Sequence, residues 1–128
     1  LARKGRSLIV TDSKKEDSKR FELERTNAAT NLAFDGWLLA EVGTYDGFKE
    51  SQEGGLRWRE FAVYETKGGK FVLHKAGRSS KPGETDRCSA SVLEAAPTAA
   101  IIATFFGTSA LTGELLDELD LREVEFID

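Results

Sequence analysis

The sequence predicts an α+β fold: a curled antiparallel sheet with a central hairpin, packed against a C-terminal helical hairpin. Three observations predict it. Apolar residues recur at period two as far as His74, they recur at helical spacing beyond Pro97, and a Gly-Gly pair separates two β-rich runs. Strands gathered early and helices gathered late argue for α+β rather than for alternating βαβ units.

Taken in order, Leu8-Ile9-Val10 is a short apolar run that reads as a first strand, and Thr11 to Lys19 is a polar loop, so that residues 1–19 are expected to be partly flexible. Phe21 and Leu23 alternate with Glu22 and Glu24, the pattern of a half-buried strand. Leu32 to Val42 is the strongest strand. Leu32, Phe34, Gly36, Leu38, Ala40 and Val42 fall on one face, Trp37 and Leu39 lie on the other, and Gly36 marks a bulge or a sharp coil. Phe61 to Tyr64 and Phe71 to His74 flank Lys67-Gly68-Gly69-Lys70. A two-residue loop at Gly68-Gly69 sets Tyr64 opposite Leu73 and Val63 opposite His74. Both faces of this hairpin carry apolar groups, which places it near the middle of the sheet. Gly77 to Asp86, with Pro82 and Gly83, reads as a surface loop.

Helices follow. Ser91 and Glu94 have the spacing of a capping box before a short turn, and Pro97 suits the first position of a helix. Ile101, Ile102, Phe105 and Phe106 form its core stripe, Gly107 ends it, and Thr108 or Ser109 caps a second helix carrying Leu111, Leu115, Leu116 and Leu119. Val124 and Phe126 alternate with Glu123 and Glu125 in a last short strand. The expected core is Leu32, Phe34, Leu38, Val63, Phe71, Leu73, Ile101, Phe105, Leu115 and Leu119.

A length of 128 residues suits a single globular domain spanning 1–128, and 40% apolar with 31% charged residues suits a folded one. The chain contains no methionine, which predicts a fragment of a longer protein. The lone Cys88 excludes an intramolecular disulfide, and with His74 as the one histidine there is no Cys/His zinc set. This fits a reducing, cytoplasmic compartment. No apolar run approaches the roughly 18–20 residues of a membrane-spanning helix, so no membrane partner is expected.

Catalytic machinery is equally sparse. His74 falls on a strand beside apolar residues, as structural histidines do. Cys88 precedes a predicted helix start, where a helix dipole would lower its pKa. The acids from Glu114 onward alternate with leucines as a solvated helix face does, no glycine-centred calcium loop is present, and Thr66-Lys67-Gly68-Gly69-Lys70 lacks the first glycine and the Ser/Thr of a phosphate-binding loop. No catalytic residue, metal site or cofactor is therefore expected.

Charge is more informative. The net charge is −4, but residues 57–88 hold eight basic against four acidic groups, and residues 89–128 hold one basic against eight acidic. Arg57, Arg59, Lys67, Lys70, Lys75 and Arg78 occupy or flank the central hairpin, with Lys81 and Arg87 following and Trp58, Phe61, Tyr64 and Phe71 interleaved. These six cations are the candidate binding surface, complementary to the acidic end of the chain.

In Phe34-Asp35-Gly36-Trp37-Leu38-Leu39-Ala40-Glu41, in Val63 to Val72 and in Val124-Glu125-Phe126-Ile127-Asp128, the chain resembles the EXLDI family. This is a bacterial, largely actinobacterial group named for a C-terminal Glu-x-Leu-Asp-Ile motif. Here Glu125 to Asp128 stand in for it, with Ile127 where the motif has leucine. The resemblance covers roughly residues 30–75 and the last few residues. It implies a regulatory or accessory domain, in a family whose members carry an upstream segment like a ribbon-helix-helix DNA-binding arm, and it implies no catalytic residues. Together these readings predict a non-catalytic interaction or regulatory domain that binds a protein partner or itself. A nucleic-acid-associated module using the hairpin over 57–78 is the alternative, and a small enzyme a more distant one.

Overall fold

The computed structural model describes residues 17–44 and 57–127. The predicted strand at Leu8 to Val10 and most of the predicted N-terminal loop lie outside them. Five strands, β1 (Lys19–Leu23), β2 (Leu32–Gly43), β3 (Arg57–Thr66), β4 (Phe71–Ser79) and β5 (Arg87–Leu93), form one antiparallel sheet in which chain order and spatial order coincide. Two helices follow, α1 (Ala99–Phe106) and α2 (Ala110–Glu118). The α+β architecture is the predicted one: a curled antiparallel half-barrel with a C-terminal pair of helices packed on it. The curl brings the chain after β1 to the opposite edge strand. Thr26 N donates to Cys88 O at 2.8 Å, and Cys88 N donates to Thr26 Oγ1 at 2.6 Å.

The sheet buries both faces. On the helix side, Ala40, Phe61, Val63 and Leu73 meet Ile102, Phe106, Leu111, Leu115 and Leu119. On the far side, Leu23, Ala62, Tyr64 and Val72 are joined by Phe21, Leu32 and Phe34, and the Phe21 and Phe34 rings pack around Tyr64 at centroid distances of 4.8 and 5.4 Å. The hairpin is central and covered on both sides, as its two apolar faces require.

The local corrections each have a physical cause. In β2, Leu38 pairs with Tyr64 but Ala40 pairs with Val63, so Leu39 is an extra residue. This bulge moves Ala40 and Val42 to the helix side, while Leu32, Phe34 and Leu38 stay on the far side, and Leu38 is exposed. The predicted single face is thereby split. Gly36 lies three residues before the bulged Leu39 and answers a different need. A Cβ there would stand 2.2 Å from the Glu65 carbonyl oxygen, so only glycine lets β2 approach β3 this closely.

The β3–β4 loop is one residue longer than predicted. Thr66 N donates to Lys70 O and Gly69 N to Thr66 O, with Gly69 at φ 94°, a three-residue loop whose last member is left-handed. Tyr64 therefore faces Val72, and Val63 faces Leu73. A one-residue slip exchanges the faces of every β4 side chain, which puts Phe71 and Leu73 with Val63 rather than with Tyr64.

Ser91 caps nothing. It lies within β5, an unpredicted strand whose small side chains (Cys88, Ser89, Ala90, Ser91) give little periodic signal. Pro97 precedes the cap rather than following it: Thr98 is the N-cap, accepting from Ile101 N at 3.2 Å. The helix phase shifts accordingly. Ile102 and Phe106 are buried, Phe105 is half-buried and Ile101 is exposed. Gly107 ends α1 with φ 86°, and Ser109 caps α2 by accepting from Thr112 N, both as expected. Helix α2 closes with Asp120 at φ 58°, Asp120 N donating to Asp117 O and Leu121 N to Leu116 O, while Leu116 and Leu121 each pack against the core. Beyond it, residues 121–127 form no strand, which removes the predicted last one. Among the described residues no helix is long and apolar enough to cross a membrane.

Candidate functional site

Strand pairing assembles the site. Arg59 of β3 lies opposite Gly77 of β4, and Gly77 lies opposite Arg87 of β5, so two arginines flank a glycine across three neighbouring strands. Neighbouring strands are about 4.8 Å apart, which puts the two arginine backbones about 10 Å from each other with no side chain between them. Thr44, at the end of β2, extends the row. Its N–H donates to Arg59 O, and its hydroxyl accepts from Arg59 N. Lys75 and Phe61, a second facing pair, lie on the same face of the sheet, as do Arg57 and Ser79.

Two cavities adjoin along this row. One, of about 710 Å³, opens between Trp58, Arg57 and the loop carrying Gly83 and Glu84. The other, of about 370 Å³, runs towards the end of α1 between Phe61, Lys75 and Phe106. Arg59, Gly77 and Arg87 line both, so the two form one groove with these residues at its waist. A Cβ on Gly77 would meet nothing closer than the Arg87 carbonyl oxygen at 3.8 Å, an ordinary contact. The backbone does not demand glycine there. Its absent side chain keeps the groove floor clear.

The groove cations differ in how they are held. Arg57 grips Glu84 through two guanidinium nitrogens, Nε at 3.0 Å and Nη2, and Ser79 Oγ donates to the same carboxylate. These bonds lower the Glu84 pKa from 4.5 to about 2. Lys75 Nζ donates to Phe105 O at 2.7 Å and stands 4.7 Å from the Phe105 ring centre, so it caps the C-terminal end of α1. Arg59 lies over the Phe61 ring at 5.7 Å. Among the described residues, neither Arg59 nor Arg87 forms an ion pair with a carboxylate.

The six sequence-predicted cations thus do not form one patch. Arg57, Arg59 and Lys75 meet at the groove. Lys67 and Lys70 lie at the hairpin tip, eight residues of strand from Arg59 in the case of Lys67, or about 25 Å, and Lys70 Nζ is 3.7 Å from Glu94. Arg78 turns to the far face. Partial burial there works against its charge, but hydrogen bonds to Glu24, Glu60 and Asp86 at 2.9 to 3.0 Å outweigh this and raise its pKa. Arg87 belongs to the groove but was not among the six, because its strand gave no signal.

The candidate catalytic groups sit elsewhere. Cys88 is buried in β5, far from any helix start, and desolvation raises its thiol pKa rather than lowering it as the predicted dipole would. Its Sγ lies 3.7 Å from an Arg78 nitrogen and 3.8 Å from Glu24 Oε1. His74 is buried on the same face, its Nε2 2.8 Å from the Glu24 carbonyl oxygen. Among the described residues no group of three His, Cys, Asp or Glu side chains is placed to hold a metal ion. Compared with protein-family models, curated proteins and solved structures, the chain matches none.

Proposed function

We propose that this chain is a non-catalytic interaction domain whose groove between Arg59 and Arg87 holds an acidic polypeptide. The observation that carries the reading is the pair itself: two exposed arginines, without carboxylate partners among the described residues, facing each other over a cleared glycine. Guanidinium groups so placed match carboxylates bidentately, and a groove that crosses three neighbouring strands suits an extended chain better than a lone anion. A regulatory or accessory role within the EXLDI family, in the cytoplasm, belongs to the same proposal.

Nucleic-acid binding is the second reading, favoured by Arg57, Arg59 and Arg87 lining a single groove. It is weakened by the burial of Phe61, Tyr64 and Phe71, which are 3%, 7% and 3% exposed and so offer no ring for base stacking. Fluorescence anisotropy with a labelled Glu-rich peptide and a labelled single-stranded oligonucleotide separates the two. The peptide is expected to bind at low salt, and Arg59→Glu with Arg87→Glu to weaken it about tenfold or more. Binding of the oligonucleotide alone would favour the second reading, and binding of neither probe would remove both.

A further inference from the structure

Residues 121–127 carry an acidic, apolar sequence of the kind the groove would receive. After the α2 cap fixes Leu121, the chain runs on through Glu123-Val124-Glu125-Phe126-Ile127, leaving the core behind. Val124, Phe126 and Ile127 are 87%, 85% and 72% exposed, three large apolar side chains within four residues. Scattered single apolar residues on a surface need no explanation, but a contiguous run of this kind marks a contact. The alternation sharpens this. In an extended chain, Glu123 and Glu125 point to one side about 7 Å apart, and Val124 and Phe126 point to the other.

We propose that the occupant of the groove is this segment from a second copy of the chain, and that two copies exchange their segments reciprocally. This rests on the reading of the groove as a seat for an acidic polypeptide. Val124 and Phe126 lie against the floor that Gly77 leaves clear, between the aliphatic stems of Arg59 and Arg87. Glu123 and Glu125 face outward, where the long side chains of Arg59 and Arg87 rise from either side to meet them. Charge complementarity selects the occupant: residues 57–88 carry a basic excess, residues 89–128 an acidic one, and Arg122, the one cation of the acidic stretch, is held back at α2 by Asp117 at 2.9 Å. Each copy offers one groove and one segment, so the exchange closes as a two-fold dimer and leaves neither unused.

Sedimentation equilibrium of the whole chain tests this, at several protein and salt concentrations. The wild type is expected to dimerise, more weakly as salt rises. Gly77→Leu, which fills the groove floor, and the triple change Val124→Ser, Phe126→Ser, Ile127→Ser, which removes the apolar side, should each weaken the dimer about tenfold or more. Mixing these two variants should restore association through the one intact groove and the one intact segment. Reversing charge on one side only (Arg59→Glu with Arg87→Glu) should abolish the dimer, and adding Glu123→Arg with Glu125→Arg to the same chain should recover it. Near-ultraviolet circular dichroism checks that each variant remains folded.

A wild type that stays monomeric at high concentration and low salt would overturn the proposal, as would a dimer indifferent to both sets of changes. If the monomeric chain still binds the free Glu-rich peptide through Arg59 and Arg87, the seat stands and only this occupant is wrong. If it binds no acidic peptide either, the functional reading falls with it.

Discussion

Neighbouring phenylalanines in α1 show how finely burial is divided between adjacent residues. Phe106 is 6% exposed, packs on Phe61 at a ring distance of 4.7 Å and belongs to the helix-side core, whereas Phe105 is half-buried beneath the Lys75 ammonium. Phe106→Ala should therefore cost about 3–5 kcal/mol in a denaturant melt, the range for emptying a packed aromatic site. Phe105→Ala should cost clearly less. Equal costs would mean that both rings bear on the core. A second residue-scale expectation concerns acid. The Glu84 pKa falls from 4.5 to about 2 on folding, chiefly through its hydrogen bond to Arg57 and then that from Ser79. A depressed carboxylate pKa stabilises the fold fully above the unfolded value and ceases to do so as pH falls through the folded one. The stability difference between wild type and Arg57→Gln should therefore shrink between pH 4.5 and about 2, as read from urea melts at stepped pH. A difference that stays constant across that window would show that the pair contributes nothing through its charge.

Element by element, the strands with long apolar side chains were legible in the sequence and those with small ones were not. Phe21 and Leu23 placed β1, Phe61 to Tyr64 and Phe71 to His74 placed the hairpin, and the leucines of α2 fixed its buried face. Strand β5 escaped because Cys88, Ser89, Ala90 and Ser91 have too little side chain to show a period, and because Ser91 and Glu94 happen to stand at capping-box spacing. Losing β5 meant losing Arg87, and with it half of the groove's waist. The place of the β2 bulge was hidden: Gly36 signalled a bulge or a sharp coil, but Leu38, Leu39 and Ala40 are all apolar, so nothing in their pattern says where the faces change over. Loop length is the remaining ambiguity, since Gly68-Gly69 serves a two-residue or a three-residue turn. The structure selects the latter through Gly69 at φ 94°, with Lys70 N donating to Thr66 Oγ1 at 2.9 Å. Gly69→Ala should consequently destabilise the chain by about 1–2 kcal/mol, because a Cβ is strained in the left-handed region. Gly68→Ala, at a position without that backbone demand, should cost less. A reversed order in thermal melts would indicate the shorter loop and the other register.

At the scale of the whole molecule, what shapes the sheet is the clasp between Thr26 and Cys88. The threonine hydroxyl accepts from Cys88 N and donates to Asp86 O at 3.3 Å, tying the chain beyond β1 to the start of β5. Thr26→Val removes both bonds and leaves the Cys88 amide without its acceptor, which should cost about 1–3 kcal/mol. Amide hydrogen exchange at Cys88 should quicken while the β3–β4 amides keep their protection. Uniform loss of protection would mean that the sheet has no independent centre. The same clasp bears on the order of events as the chain folds. Strands adjacent in the chain are adjacent in space throughout the sheet, so every ladder can form by closing a connection to the next strand, whereas Thr26 and Cys88 must find each other across 62 residues. Loop-closure entropy delays contacts of that separation until the pieces between them are in place. The central hairpin is thus expected to be formed in the transition state, with Gly69→Ala slowing folding. Thr26→Val should act almost wholly on the unfolding rate. The curl of this sheet is then the last thing the chain acquires and the first it gives up.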